Sequence, residues 1–136
     1  MSTAPNPSPS QTTILAVDDD AAVLRVLEQT LSAAGYRVLV ASGGWSAIQV
    51  YEAAAGPVHL LLTDVMMPDL TGPVLAERLR SHQPDLPVLF ISGFHDADLV
   101  QRFVTNKGFA LLSKPFSADG LLRVVEDSLA ASRQTR

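Results

Sequence analysis

Short apolar runs alternate with longer amphipathic stretches along most of this 136-residue chain. The apolar runs are typical of strands, and they cover residues 14–17, 37–41, 58–63, 88–91 and 109–113. Runs that are apolar at nearly every position are expected where helices cover both faces of a parallel sheet. Because crossovers between parallel strands are right-handed, the pattern predicts an α/β fold of five β-α units, with a doubly wound, five-stranded parallel sheet in a three-layer sandwich.

The stretches between these runs carry apolar residues at helical spacing. Gly35 is expected to stop the first helix, Pro73 fits the first turn of the third, and Ser117 can cap the last. A further helix is predicted around residues 99–104. The positions expected to face the sheet are Val23, Leu24, Val26, Leu27 and Leu31 in the first helix, Val74, Leu75 and Leu79 in the third, and Leu121, Leu122, Val125 and Leu129 in the last.

Composition predicts one folded domain with a short segment at each end. Residues 1–12 are rich in Ser, Thr and Pro, which is typical of a flexible arm or linker. Residues 132–136 are polar and predict a disordered tail. We therefore expect a single domain over residues 13–131, with no room for a separate output domain.

Charge and composition exclude several classes of function. A net charge of −4 disfavours direct contact with nucleic acid, since phosphate backbones require a basic face. The absence of cysteine excludes disulfides and thiolate metal sites. Because the sequence shows neither a long apolar stretch nor a signal peptide, we expect a cytoplasmic protein without membrane contact.

Four of the apolar runs end in residues suited to phosphate chemistry. The acidic run Asp18-Asp19-Asp20 follows the first, and Asp64 follows the third. Ser92 follows the fourth run, and Lys114 follows the fifth. Parallel strands bring their carboxyl ends to one edge of the sheet, where open α/β sheets bind ligands. Carboxylates suit Mg²⁺, while a hydroxyl and a lysine suit a phosphoryl group, so this edge predicts metal-assisted phosphoryl chemistry.

Each of these residues also has an ordinary structural explanation. Asp20 is expected to cap the first helix, which leaves Asp18 and Asp19 for a metal. Asp64 alone could be an acid in a solvated turn, and a lone serine or lysine is usually a turn or surface residue. Their arrival at one edge favours the chemical interpretation, in which a carboxylate oxygen of Asp64 acts as nucleophile and forms an acyl phosphate.

Together, four motifs resemble the receiver domain of two-component response regulators. The motifs are Val17-Asp18-Asp19, Asp64-Val65-Met66-Met67-Pro68 with Gly72, Ser92-Gly93, and Lys114-Pro115-Phe116. They follow the family's order over about residues 13–131. The resemblance implies the flavodoxin-like receiver fold with strand order 2-1-3-4-5. It also implies a phosphoryl donor, which is a phosphohistidine on a histidine kinase or a histidine phosphotransfer protein.

The resemblance assigns a role to each motif residue. Asp64 corresponds to the phosphoacceptor, and Ser92 and Lys114 to the residues that contact the phosphoryl group. The bond before Pro115 is expected to be cis. A receiver catalyses its own phosphorylation and dephosphorylation without a separate substrate, and it acts by switching partner binding. The Mg²⁺ ligands that it implies are Asp18, Asp19, Asp64 and the main-chain carbonyl of Met66.

Three residues depart from the usual receiver pattern. Leu111 stands where the family often has Phe or Tyr, which weakens the prediction of an aromatic switch. Met66 and Phe94 stand two residues beyond Asp64 and Ser92, and neither can orient an attacking water. We therefore hypothesise slow self-hydrolysis of the aspartyl phosphate.

Several interpretations stay open at the level of sequence. The chain fits a stand-alone receiver or one excised from a hybrid sensor kinase, with an unknown downstream protein and room for a homodimer. A haloacid dehalogenase-like phosphatase would need a second acid where Met66 stands. A non-phosphorylated, receiver-like binding module would not need Asp19, Asp64, Ser92 and Lys114 intact. In a flavodoxin-like flavin binder, the acidic edge would repel the cofactor phosphate.

Overall fold

The computed structural model describes residues 12–93 and 109–134. Strands and helices alternate in the order β1 Thr13–Val17, α1 Ala21–Ala33, β2 Arg37–Ala41, α2 Gly44–Ala53, β3 Leu60–Asp64, α3 Gly72–Arg80, β4 Val88–Ser92, β5 Phe109–Ser113 and α4 Ala118–Gln134. None of these helices is long and apolar enough to cross a membrane. The helix predicted around residues 99–104 lies outside the described residues, as do most of the predicted arm and the end of the predicted tail.

The five strands form one parallel sheet in the order β2-β1-β3-β4-β5. Every residue of the three central strands is buried, whereas the edge strands β2 and β5 are partly exposed. One row of side chains crosses the whole sheet, and it comprises Leu39, Leu15, Leu61, Val88 and Phe109. The structure confirms the doubly wound fold and its strand order.

Two apolar cores lie on opposite faces of this sheet. One core packs the sheet against α2 and α3 through Ala47, Leu75 and Leu79. The other packs it against α1 and α4, with Leu27 and Val125 among the buried residues. Burying a leucine or valine side chain contributes about 1.5–3 kcal/mol, so helices on both faces hold the strands in place. The result is the three-layer sandwich that the apolar pattern predicted.

The prediction that Val26 and Val74 face the sheet is wrong. Val26 and Val74 are 48% and 38% exposed. Neighbouring residues in a helix are about 100° apart, so each of these valines points away from the buried leucine that follows it. In α1 the buried stripe therefore narrows to positions spaced by four, Leu27 and Leu31, with Val23 partly buried.

The predicted helix ends are confirmed. The Asp20 carboxylate accepts hydrogen bonds from the N–H groups of Ala22 and Val23 and caps α1. Gly35 follows α1 with a φ of +99°, a conformation that favours glycine. The Ser117 hydroxyl accepts from the Gly120 N–H and caps α4.

Candidate functional site

The predicted site residues converge at the carboxyl edge of the sheet. Asp64 is the last residue of β3, and Ser92 is the last residue of β4. The Lys114 N–H donates to the Ser92 carbonyl at 2.9 Å, which fixes the loop after β5 beside β4. The Asp18 N–H donates to the carbonyl of Ala41 at 3.3 Å, so the end of β1 is held against β2. Backbone pairing thus places these side chains in one cluster.

Three carboxylates share a small volume in this cluster. Oxygens of Asp18, Asp19 and Asp64 all lie within 4.8 Å of one another. Asp18 is fully buried and Asp64 is 6% exposed, whereas Asp19 is exposed. The Lys114 ammonium lies 3.3 Å from Asp18 Oδ2 and 3.6 Å from Asp64 Oδ2. Among the described residues, Lys114 is the cation that pairs with Asp18 and Asp64, so one positive charge faces three carboxylates and the cluster carries an excess of negative charge.

The excess charge changes the ionisation of the cluster. Burial, followed by repulsion from Asp18, raises the pKa of Asp64 to about 6, although Lys114 opposes the shift. Burial also raises the pKa of Asp18, against the hydrogen bond from Asp20 and the charge of Lys114. Burial lowers the pKa of Lys114, but Asp18 and Asp64 outweigh that effect and raise it. Lys114 therefore stays protonated, and a further cation would favour ionised carboxylates.

The cluster fits a hard divalent cation. Asp18 Oδ1 accepts a hydrogen bond from the Asp20 N–H at 2.8 Å. Asp18 Oδ2 is buried, and its polar contact among the described residues is the Lys114 ammonium at 3.3 Å. Mg²⁺ prefers oxygen ligands and usually keeps several of its bound waters, so it needs only a few ligands from the protein. The carboxylates of this cluster are therefore a suitable donor set. The observation that favours a metal here is the excess of carboxylates, since three of them, two buried, lie beside a single ammonium.

The β3–α3 loop, residues 65–71, begins and ends beside Asp64. The Gly72 N–H donates to the Val65 carbonyl at 2.7 Å and closes the loop at its base. A Cβ atom at Gly72 would lie 2.4 Å from the carbonyl oxygen of Asp64, so only glycine fits there. Met66, whose carbonyl is a predicted metal ligand, lies inside this loop, and its side chain is half exposed.

Asp69, at the far side of the same loop, is a contributor that the sequence analysis missed. Its carboxylate accepts hydrogen bonds from the N–H groups of Gly44 (3.1 Å), Trp45 (2.9 Å) and Leu70 (2.9 Å). The bonds from Trp45 and Gly44 lower the pKa of Asp69. Gly43, the residue at the N-cap of α2, has no side chain and makes no side-chain capping hydrogen bond. Because glycine is itself a common N-cap residue, its presence in the sequence was only a weak signal that a cap could come from another part of the chain.

The structure also describes the residues at the ends of β4 and β5 that the sequence analysis singled out. Ser92 is buried, and its hydroxyl donates to the Gly93 carbonyl at 3.0 Å. The Lys114–Pro115 peptide bond is cis, as expected. Leu111 pairs with Phe90 in the sheet and packs against the α2–α3 core. Phe94 lies outside the described residues, so the slow self-hydrolysis expected from Met66 and Phe94 stays a prediction.

Comparison with known proteins gives a consistent result. A family model of the response regulator receiver domain matches residues 14–126. The receiver protein CpdR of Brucella abortus is 36% identical over 88% of this chain and 98% of its own length. The sensor kinase CckA of Brucella abortus is 33% identical over 86% of this chain, but the chain spans only 12% of that kinase.

A solved structure extends these matches to the fold. The crystal structure of the receiver domain from the hybrid histidine kinase CckA superposes with a TM-score of 0.72. It is 34% identical, and the match covers 86% of this chain and 98% of that domain. The solved receiver domain is thus about the size of the fold described above.

Proposed function

This chain belongs to the family of response regulator receiver domains, and on that premise we propose that Asp64 is the residue that accepts the phosphoryl group. The function of the domain is that of a phosphoacceptor in two-component signalling. Asp18 and Asp64 are both buried beside the Lys114 ammonium, so burial and charge alone do not choose between them. The observation that supports Asp64 is its place at the end of β3, directly beside the strand that ends in Ser92, whereas Asp18 Oδ1 already accepts a hydrogen bond from the Asp20 N–H.

Receiver domains generally bind Mg²⁺ at an acidic pocket, and the acid cluster is the matching feature of this chain. The ligands that we propose are Asp18, Asp19, Asp64 and the main-chain carbonyl of Met66. Bound Mg²⁺ would neutralise the carboxylates and stabilise negative charge on the phosphoryl oxygens. The excess of three carboxylates over the one ammonium beside them supports this assignment, as does an all-oxygen donor set.

The proposed reaction is a transfer between two nucleophiles. A carboxylate oxygen of Asp64 attacks phosphorus, and an O–P bond forms while the N–P bond of a phosphohistidine breaks. The bonding electron pair leaves with the imidazole. With a pKa of about 6, Asp64 is mostly ionised at neutral pH and can act as the nucleophile. In this proposal the Lys114 ammonium, 3.6 Å from Asp64, and the Ser92 hydroxyl would donate to the phosphoryl oxygens, the latter after releasing the Gly93 carbonyl.

The partners are a further part of this proposal. A phosphohistidine on a histidine kinase or histidine phosphotransfer protein is the donor that suits an aspartate acceptor, and the relatives include a sensor kinase. We propose residues 13–131 as the receiver domain, with its output a change in the binding of a downstream protein. A family of receivers gives no support to a separate phosphoester substrate of the haloacid dehalogenase type.

Acetyl phosphate tests the proposal without a kinase. We expect incubation with acetyl phosphate and Mg²⁺ to add the mass of one phosphoryl group, and Asp64→Asn to prevent it. Asp85→Asn is a matched control, since Asp85 is an exposed acid in the turn before β4, at the opposite edge of the sheet. A mass gain that persists in Asp64→Asn would show that another residue is the acceptor.

A further inference from the structure

The β3–α3 loop connects the proposed phosphoacceptor to α3, and it is fixed at two places. Its base is closed by the bond from the Gly72 N–H to the Val65 carbonyl. Its far side is fixed by Asp69, whose carboxylate bonds to the first two N–H groups of α2. Met66 lies between these two anchors, so the position of its carbonyl depends on both.

The contact between Asp69 and α2 is unusual for a helix cap. A capping side chain ordinarily belongs to the residue that precedes the helix, but here it lies 25 residues from Gly44 in sequence. Gly43, at the N-cap, cannot supply a side chain. The capping side chain of α2 therefore comes from the loop that carries the proposed metal ligand.

The two glycines before α2 allow the loop to approach closely. A Cβ atom at Gly44 would lie 2.4 Å from the Cβ of Leu70, and one at Gly43 would lie 3.1 Å from Asp69 Oδ2. Larger residues at either position would push the loop away from the helix. The Gly43-Gly44 pair thus allows this contact.

We propose that Asp69 is a positioning residue for the metal site, which it serves by anchoring the β3–α3 loop to α2 and so fixing the Met66 carbonyl. This inference rests on the proposed function, because it assumes that the Met66 carbonyl binds Mg²⁺. It goes beyond that function in giving α2 a direct mechanical connection to the site. Asp69 itself touches neither the metal nor the phosphoryl group in this arrangement.

Trp45 provides a built-in reporter of the connection. It is the only tryptophan in the chain. Its backbone N–H donates to the Asp69 carboxylate. The residue is 50% exposed, and the Arg78 guanidinium lies 4.9 Å from the centre of its ring. Because tryptophan emission depends on the surroundings of the indole, a shift of the loop on Mg²⁺ binding should change the fluorescence of Trp45.

The test compares three variants with the full-length wild type. Asp69→Ala removes the anchor, and Asp69→Asn keeps one acceptor oxygen. Ser46→Ala is the matched control, since it removes a different hydrogen bond in the same helical turn, the one that the Ser46 hydroxyl donates to the Gly43 carbonyl. Isothermal calorimetry measures Mg²⁺ affinity, Trp45 fluorescence follows the same titration, and circular dichroism checks folding.

We expect Asp69→Ala to weaken Mg²⁺ binding about tenfold, as the loss of a residue that orients a metal ligand typically does. Asp69→Asn should have an intermediate affinity, and Ser46→Ala should match the wild type. The Trp45 response to Mg²⁺ should be lost in Asp69→Ala even when Mg²⁺ saturates the site. Phosphorylation by acetyl phosphate should recover at high Mg²⁺, as a positioning role requires.

Wild-type Mg²⁺ affinity in Asp69→Ala would overturn the proposal, and so would an equal loss in Ser46→Ala. If Asp69→Ala fails to fold, Asp69→Asn decides, and wild-type affinity in that variant overturns the proposal. Wild-type protein that binds Mg²⁺ but gains no phosphoryl mass would contradict the proposed function alone. The affinities of the variants would still decide the role of Asp69.

Discussion

Asp64 and Asp69 lie five residues apart in one segment, yet their environments are opposite. Asp64 is buried beside two other acids, and this environment raises its pKa to about 6. Asp69 is exposed, accepts three backbone hydrogen bonds, and has a lowered pKa. The same type of side chain therefore suits a reactive role at position 64 and a structural role at position 69.

The difference shows that the number of hydrogen bonds a carboxylate already accepts separates a reactive role from a structural one. A carboxylate whose oxygens already accept several N–H groups gains little from another partner. A carboxylate held next to like charges gains from any cation or electrophile that reduces its charge. Asp64 is of the second kind and Asp69 of the first, and variants that remove either environment should have distinct signatures.

Removal of the Lys114 charge is expected to have the largest effect. Lys114→Met should slow phosphorylation of Asp64 by acetyl phosphate about 100-fold or more, because the donor facing the phosphoryl oxygens is lost. Intact mass against time in saturating Mg²⁺ measures the rate. Arg123→Met removes an exposed cation from α4 and should leave the rate unchanged. Equal rates for Lys114→Met and the wild type would exclude Lys114 from the reaction.

The raised pKa of Asp64 should appear in the pH dependence of stability. Between the usual value of 3.8 and about 6, the folded state binds more protons than the unfolded state, so stability falls as pH rises through this window. Asp64→Asn lacks the ionisation and should be more stable than the wild type above pH 6, by at most about 3 kcal/mol. Urea unfolding in EDTA at several pH values measures the difference.

The advantage of Asp64→Asn should disappear toward pH 4, where the wild-type carboxyl is also neutral in the folded state. Asp85→Asn, at an exposed acid in the turn before β4, is the matched control for the substitution. A stability difference that does not depend on pH would indicate that packing rather than charge distinguishes Asn from Asp at this position.

Asp69 should show the opposite dependence on pH, with a smaller magnitude. Asp69→Ala should lower the free energy of unfolding by about 1 kcal/mol, the usual effect of losing a helix cap. Since the folded pKa is lowered, the stabilisation is complete above the usual value of 3.8 and is lost as pH falls through the folded pKa. The same urea series measures it. An increase in the Asp69 contribution on acidification would contradict the hydrogen-bonded, ionised state.

The acidic edge could be predicted from the sequence because strand ends and chemistry coincide there. Asp18, Asp64, Ser92 and Lys114 each directly follow or end an apolar run, and parallel pairing then brings them together. The contact of Asp69 with α2 could not be predicted in this way. It joins two loops through a tertiary approach, and only the absence of a capping side chain at Gly43 hinted at it.

The exposed valines illustrate a second limit. Val26 and Val74 are apolar residues next to buried leucines, and a hydrophobic pattern alone does not separate adjacent positions at the border of a helix face. Which of two neighbours turns inward depends on how the helix rotates against the sheet. That rotation follows from packing between α1 or α3 and the strands, which is not encoded at any single position.

The smallest expected effect on stability concerns Arg78. Its replacement distinguishes the fluorescence of Trp45 from the anchoring of the loop by Asp69. Arg78→Gln removes the guanidinium next to the Trp45 ring and should cost about 0.5 kcal/mol of stability, the usual value for an exposed cation–π pair. It should shift Trp45 emission without Mg²⁺, yet leave Mg²⁺ affinity and phosphorylation at wild-type values. Arg25→Gln, which changes an exposed cation on α1, should alter none of these.

This comparison assigns the two contacts of Trp45 to different tasks. The backbone N–H of Trp45 belongs to the anchor that Asp69 makes, whereas its indole only reports on that anchor. If Arg78→Gln weakened Mg²⁺ binding as much as Asp69→Ala, the α2–α3 face as a whole would position the site, and Asp69 would lose its special role. If emission changes while affinity does not, the connection between α2 and the acid cluster runs through the Asp69 carboxylate.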